Sequence, residues 1–243
     1  MFDALGSAIQ NKVLLSIPEE TLERWKPHLE LIDAPLGMQL YRTDEPIKYV
    51  YFPESSLTSI VASTSNGQTC EVGVVGYEGG VGLQVVMGAI SSPHESYIQI
   101  PGSTYKLPAS VIRKEFNENG PAHDCILSFI NKLLIQISQT TLCNRLHSVD
   151  ERLARWLLMC HDRVPKDKIE LTQELLAIML GVTRVSVTIA ASALQTSGYI
   201  KYARGNITIL DREQLERLAC ECYQVVKTAY DQPDEVETEC DDD

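Results

Sequence analysis

From Pro121 to Leu146 the chain contains no further proline and no glycine, and Ile126, Ile130, Leu133, Leu134, Ile137 and Thr141 recur at spacings of three and four. That is the period an α-helix buries, and about 26 residues at 1.5 Å each give a rod of ~39 Å. Such a rod is longer than a small domain needs to cover its own core. The seam through Ile126, Ile130, Leu133, Leu134 and Ile137 therefore calls for a second partner, and the same helix of another copy supplies one, giving a homodimer. The alternative is a helix packed wholly within its own domain. Either way it divides a chain of 243 residues into a part before and a part after.

The part before reads as helix and then strand. Ala4 to Leu14 and Pro18 to His28 carry helical patterns, and Leu29 to Leu107 reads as many short strands, the most β-rich being Tyr49 to Phe52, Leu57 to Ala62, Cys70 to Val75 and Tyr97 to Ile100. Asn66-Gly67 between two of them is a strong hairpin signal. Closely spaced strands suggest a small barrel or roll. The expected class is α+β, with a β-roll over 1–120, the long helix over 121–147, a third unit over 148–230 and an acidic, flexible tail over 231–243.

The third unit carries the most specific pattern. Ser148-Val149-Asp150-Glu151 has the capping-box form and opens a new helix. Thr172 then caps a helix through Leu180, Gly181 permits a tight turn, and Thr183 caps a second helix through Gln195. Ala177 is small where the helices cross, while Leu176, Leu180, Val182, Val187 and Ala190 fill inward positions, which makes a helix-turn-helix. Tyr199 to Tyr202 and Asn206 to Leu210 flank Ala203-Arg204-Gly205 as a β-hairpin, a wing. Charge follows the same division: the total of −12 splits into −5 over 1–147, +2 over 148–210 and −9 over 211–243. The acidic total excludes a protein that coats nucleic acid by bulk electrostatics. The one mildly basic segment is the one that holds the helix-turn-helix.

The stretches HSVDERLARWLL, LTQELLAIMLGVTR, LQTSGYIKY and RGNITILDREQLE resemble the DNA-binding domain of the Crp/Fnr superfamily of bacterial transcription regulators. The preceding roll and long helix are similar to that family's cyclic-nucleotide-binding-like sensor domain and dimerisation helix. The resemblance implies a homodimer whose roll binds an effector and reorients two recognition helices on double-stranded DNA with an inverted-repeat site; an activator would also contact RNA polymerase. The DNA contacts it implies are Thr172 and Gln173 on the first helix, Thr183, Arg184, Val185, Ser186, Thr188 and Ile189 on the second, and Lys201 and Arg204 on the wing. Arg184 is able to take guanine O6 and N7 together, whereas Val185 and Ile189 suit thymine methyl groups or else pack against the unliganded protein. The competing reading is an effector-binding or protein-docking module that has lost DNA binding, favoured by the scarcity of basic residues on the second helix.

For the effector, the resemblance points to Glu78, Gly79, Gly80, His94, Glu95 and Ser96 of the roll with Ile137 and Ser138 of the long helix. The turn from Gly76 to Gly82 resembles the family's glycine-glutamate turn, but His94-Glu95 stands where nucleotide-binding members place an Arg-Ser or Arg-Thr pair. A carboxylate there repels a phosphate, so cyclic AMP is not the expected effector, and its identity stays open. Strand-turn glycines and an exposed loop histidine are the blander readings.

Seven cysteines, an odd number, occur with Asp3 in place of the basic start of an export signal, so reduced thiols in the cytoplasm are expected. No apolar run approaches the ~20 residues of a membrane span. Cys125 and Cys143 are about 27 Å apart along one helix, and Cys220 and Cys222, two apart on another, are expected on different faces. His28, His94, His123, His147 and His161 show no ligand spacing. Neither metal nor cofactor is expected, with haem left open, and no nucleophile and base are placed to make an enzyme.

Overall fold

The computed structural model describes residues 9–164 and 168–232. Helices α1 (Lys12–Ser16) and α2 (Glu19–Trp25) lead into β1 (Glu30–Ala34), β2 (Gln39–Tyr41), β3 (Tyr49–Pro53), β4 (Leu57–Ser63), β5 (Thr69–Val75), β6 (Glu95–Ile100) and β7 (Gly102–Pro108). These strands pair antiparallel in two sheets, ordered β1-β7-β3 and β2-β6-β4-β5. The hairpin at Asn66-Gly67 joins β4 to β5 with Ser63 opposite Thr69. Leu14, Leu22, Trp25, Phe52, Ile98, Leu107 and Ile112 fill the core of the roll. The expected start of the first helix at Ala4 lies outside the described residues, as does the tail from 233 onward.

After α3 (Ala109–Phe116) comes the long helix α4 (Pro121–Leu146), with proline in its first turn where a missing N–H costs nothing. It stops at His147, whose backbone is extended, and Ser148 caps α5 (Val149–Arg163) with both arms of the capping box formed. The chain continues through β8 (Lys168–Glu170), α6 (Gln173–Leu180), α7 (Arg184–Thr196), β9 (Ile200–Ala203), β10 (Asn206–Ile209), α8 (Arg212–Leu218) and α9 (Glu221–Asp231). The wing gains a third strand, since β8 pairs with β10. Among the described residues no single helix is long and apolar enough to cross a membrane.

Two sequence expectations fail here. Ile126 and Ile130 do not belong to a free seam: with Phe129 they are buried in the core of their own roll, and Leu133 packs against it. Of the five seam residues Leu134 is exposed, and it shares that exposure with Leu127, Leu142 and Leu146 on α4. The helix has apolar residues on two sides, and periodicity does not say which side the roll takes.

The second correction concerns the helix expected to hold both Cys220 and Cys222: after Asp211 the chain forms two helices, α8 and α9, and not one. The backbone is extended at Ala219 and Cys220, with ψ of 145° and 163°, so Cys220 caps α9 instead of lying within a helix. Cys220 and Cys222 consequently converge. Their sulfurs, the Cys143 sulfur and a ring nitrogen of His147 all lie within 4.8 Å of one another.

The third unit packs directly on the four-stranded sheet. Leu57 and Val61 of β4, Val74 of β5 and Ile100 of β6 share one apolar core with Leu153, Trp156, Leu157, Met179 and Leu180. Strand alternation explains it, because Ile60 and Ile98 point into the roll while Leu57, Ser59 and Val61 point out.

Candidate nucleic-acid interface

Helices α6 and α7 meet at 104°. The Thr172 hydroxyl accepts from the Leu175 N–H at 3.2 Å and the Thr183 hydroxyl from the Ser186 N–H at 3.2 Å, so each helix has a side-chain cap. Between them Gly181 takes a left-handed φ of 58°, and the Val182 N–H returns to the Ala177 carbonyl at 3.0 Å. The Arg152 side chain of α5 donates to the Leu180 carbonyl and fixes the turn from behind.

Val187, Ala190, Ala191 and Leu194 face inward, leaving Arg184, Val185, Thr188 and Ile189 on the outer face of α7. Val185 is 68% and Ile189 66% exposed, so neither packs against the rest of the chain. Ser186 is half-buried and its hydroxyl lies 3.0 Å from that of Thr183, within the cap. Thr188 donates to Gln173 Oε1 at 2.9 Å, and Arg184 Nη1 meets Glu174 Oε1 at 2.7 Å, so the two helices join across the exposed face. Glu174 was not singled out in the sequence.

The wing turns at Arg204 and Gly205, with φ of 52° and 74°, the two-residue geometry that matches strand twist. Lys201 and Arg204 are exposed. The wing is held against α6 by the Leu171 N–H on the Gly205 carbonyl at 2.7 Å and by the Tyr202 hydroxyl on the Leu171 carbonyl at 3.0 Å.

A buried polar seam, unforeseen in the sequence, joins this unit to the roll. Trp156 Nε1 donates to Glu71 Oε1 at 2.7 Å and the Ser59 hydroxyl to Glu71 Oε2 at 2.6 Å. Burial pushes the Glu71 carboxyl up to about 7, against the pull of those two hydrogen bonds. Arg163 Nε meets Glu78 Oε1 at 2.6 Å, both side chains nearly inaccessible, and Arg163 also donates to Gln136 Oε1 at 3.2 Å. These partners lie far apart in sequence and leave no local pattern.

Only part of the expected effector set comes together. Gly80, His94 and Ile137 line a cavity of about 220 Å³ between roll and α4, walled by Ile60, Val72, Leu83, Ile130 and Leu133. Gln84 also lines it, donating to the Tyr41 hydroxyl at 3.2 Å while its Oε1 is buried without a partner among the described residues. The others sit elsewhere. Glu78 is paired with Arg163; Glu95 accepts from Gln39 at 3.0 Å; Ser96 is buried and donates to the Ser59 carbonyl at 3.0 Å. Ser138 is exposed and donates to the Leu134 carbonyl at 2.8 Å. A Cβ on Gly79 would stand 2.1 Å from the Phe129 ring, so that glycine lets the long helix approach the roll.

A family model of the Crp-like helix-turn-helix domain matches residues 151–218. FixK2 from Bradyrhizobium japonicum superposes with a TM-score of 0.69 at 19% identity over 79% of this chain and 98% of that one. A CRP-family transcriptional regulator from Thermus thermophilus gives 0.64 at 18% over 78% and 96%. The c-di-GMP-responsive global regulator CLP of Xanthomonas campestris gives 0.63 at 16% over 79% and 99%. No curated protein matches the chain. At these identities the structural likeness is one of fold.

Proposed function

Residues 151–218 are a Crp-like helix-turn-helix domain on a chain with the fold of Crp/Fnr transcription regulators, and from this we propose a homodimeric regulator that binds an inverted-repeat DNA site. The observation that carries this reading is the outer face of α7, where Arg184, Val185, Thr188 and Ile189 are exposed beside a wing bearing Lys201 and Arg204. In the major groove Arg184 takes a guanine edge and the two aliphatic side chains take thymine methyls, while the wing and the capped start of α6 hold phosphates. Residues 1–120 act as the sensing unit, 121–147 as the dimer helix and 148–230 as the DNA-binding unit. The two copies meet through the exposed face of α4 at Leu127 and Leu134.

The effector is a small, largely apolar molecule with a polar group for Gln84 or His94. The cavity walls support this choice, since its lining among the described residues includes neither arginine nor lysine to meet a cyclic phosphate. Calorimetry with cyclic AMP and cyclic GMP should give no heat.

Selection from random DNA followed by anisotropy across a salt series tests the proposal. Recovered sites should be two-fold symmetric and binding should weaken steeply with salt. A protein-docking module, the second reading favoured by the Arg184–Glu174 pair and the acidic total, yields no enriched site and no salt slope.

A further inference from the structure

We propose that Cys143, His147, Cys220 and Cys222 form a closed four-ligand site for one zinc-type divalent cation, at the junction of α4 and α9. Cys143 lies in the last turn of α4 and His147, four residues on, is the extended residue that ends it, while Cys220 and Cys222 flank the start of α9. Cys143 Sγ lies 3.4 Å from Cys220 Sγ, and Cys222 Sγ lies 3.6 Å from His147 Nδ1. Ligands placed ~2.3 Å (sulfur) and ~2.0 Å (nitrogen) from one tetrahedral ion are separated by about 3.5–3.8 Å. The two closest separations already match a single ion, and all four ligand atoms lie within 4.8 Å of one another, about an ångström wider than the bound geometry. The four protein ligands of a multi-iron cluster are divided among two or more metal atoms and do not all converge on one point. A disulfide needs sulfurs at ~2.0 Å and would use two of the three thiols, giving no account of the third or of His147.

Three surrounding features fit a bound cation. The sulfurs form their own buried cluster, with Cys143 and Cys222 fully inaccessible. His147 Nε2 is 3.4 Å from Glu221 Oε2, so a carboxylate orients the ring with Nδ1 turned to the thiols. Arg152 and Arg155 are buried with their Nε–H groups unpartnered among the described residues, and both act electrostatically on Cys143. Three thiolates, an imidazole and a dication leave one net negative charge, which either guanidinium is enough to offset. With four protein ligands the site is structural. It fastens the first residues after α8 to the end of α4, beside the break at His147 and Ser148, and so ties both ends of the helix-turn-helix unit to the long helix.

The full chain, reduced and stripped of metal, is titrated with Co²⁺. The expected result is saturation at one ion per chain with the charge-transfer and d–d bands of tetrahedral cobalt thiolate, lost on adding Zn²⁺. Cys222→Ser and His147→Ala each weaken binding at least tenfold, Glu221→Gln weakens it about tenfold with the spectrum still tetrahedral, and Cys125→Ser, earlier on α4, changes nothing. If the ligand variants do not fold, stoichiometry and spectrum of the unaltered chain decide. Saturation without thiolate bands overturns the proposal, as does purification with iron and sulfide on these cysteines, or a Cys143–Cys220 disulfide whose reduced form has no affinity for Co²⁺.

Discussion

Arg184 and Glu174 face each other in solvent, and an exposed pair of this kind is worth ~0–1 kcal/mol, so the arginine is released to a base at little cost. Arg184→Ala should lose ~1–3 kcal/mol and relax preference at one guanine per half-site, whereas Arg204→Ala should weaken all sequences alike and flatten the salt slope. Glu174→Gln should tighten binding several-fold to every sequence, because a carboxylate leaves the phosphate-facing side; anisotropy on matched and mismatched sites separates the three. Arg184 was legible because the cap at Thr183 fixes helix register. Glu71 was not, since its environment comes from Trp156 and Ser59. Its carboxyl titrates near 7 in the folded chain and near 4.5 when unfolded, so the native state holds the extra proton between those values. Stability therefore falls as pH rises through that window, by roughly 3 kcal/mol if the whole shift is realised. Denaturant midpoints at pH 5 and pH 8 should differ accordingly, and Glu71→Gln should remove most of the difference.

Among the elements, α4 is where period and partner come apart. The spacing that marked a 26-residue helix was right about its length, yet Ile126 and Ile130 turned to the roll. Leu127→Glu with Leu134→Glu should give monomers by light scattering with a nearly unchanged melting temperature, because both side chains are exposed in the single chain. Dimers that survive this pair of changes would move the interface elsewhere. Ile126→Asp should instead unfold the roll. The turn before α7 was legible from Gly181 alone: its φ is 58°, and a Cβ there would meet Cys70 Sγ at 3.1 Å. Gly181→Ala should cost more than ~1 kcal/mol in chemical denaturation, through both backbone and contact. The break between α8 and α9 had no such mark. Neither Ala219 nor Cys220 is a helix breaker, and the bend arises from burying Leu215 on one side and Cys222, Tyr223 and Val226 on the other.

At the scale of the whole molecule, roll and helix-turn-helix unit share a core. In β4, Leu57 to Val61 is buried on both faces, as strands covered by a second layer are, but Thr58 and Ser59 interrupt the apolar run that marks such a strand in sequence. What covered it was not readable, because Trp156 and Leu157 reach it from across the long helix. Trp25 lies in the roll and Trp156 at the shared core, so fluorescence and far-ultraviolet circular dichroism should report one coincident thermal transition. Separate transitions would show that the two halves melt independently. The Arg163–Glu78 pair sets a further condition on rearrangement by engineers or by evolution. Grafting this DNA-reading half onto a foreign sensor leaves the buried Arg163 guanidinium without its carboxylate, a defect worth ~3–5 kcal/mol. A working hybrid must carry Glu71 and Glu78 along with the helices, so the natural cut for recombination lies within the roll and not at the break between α4 and α5.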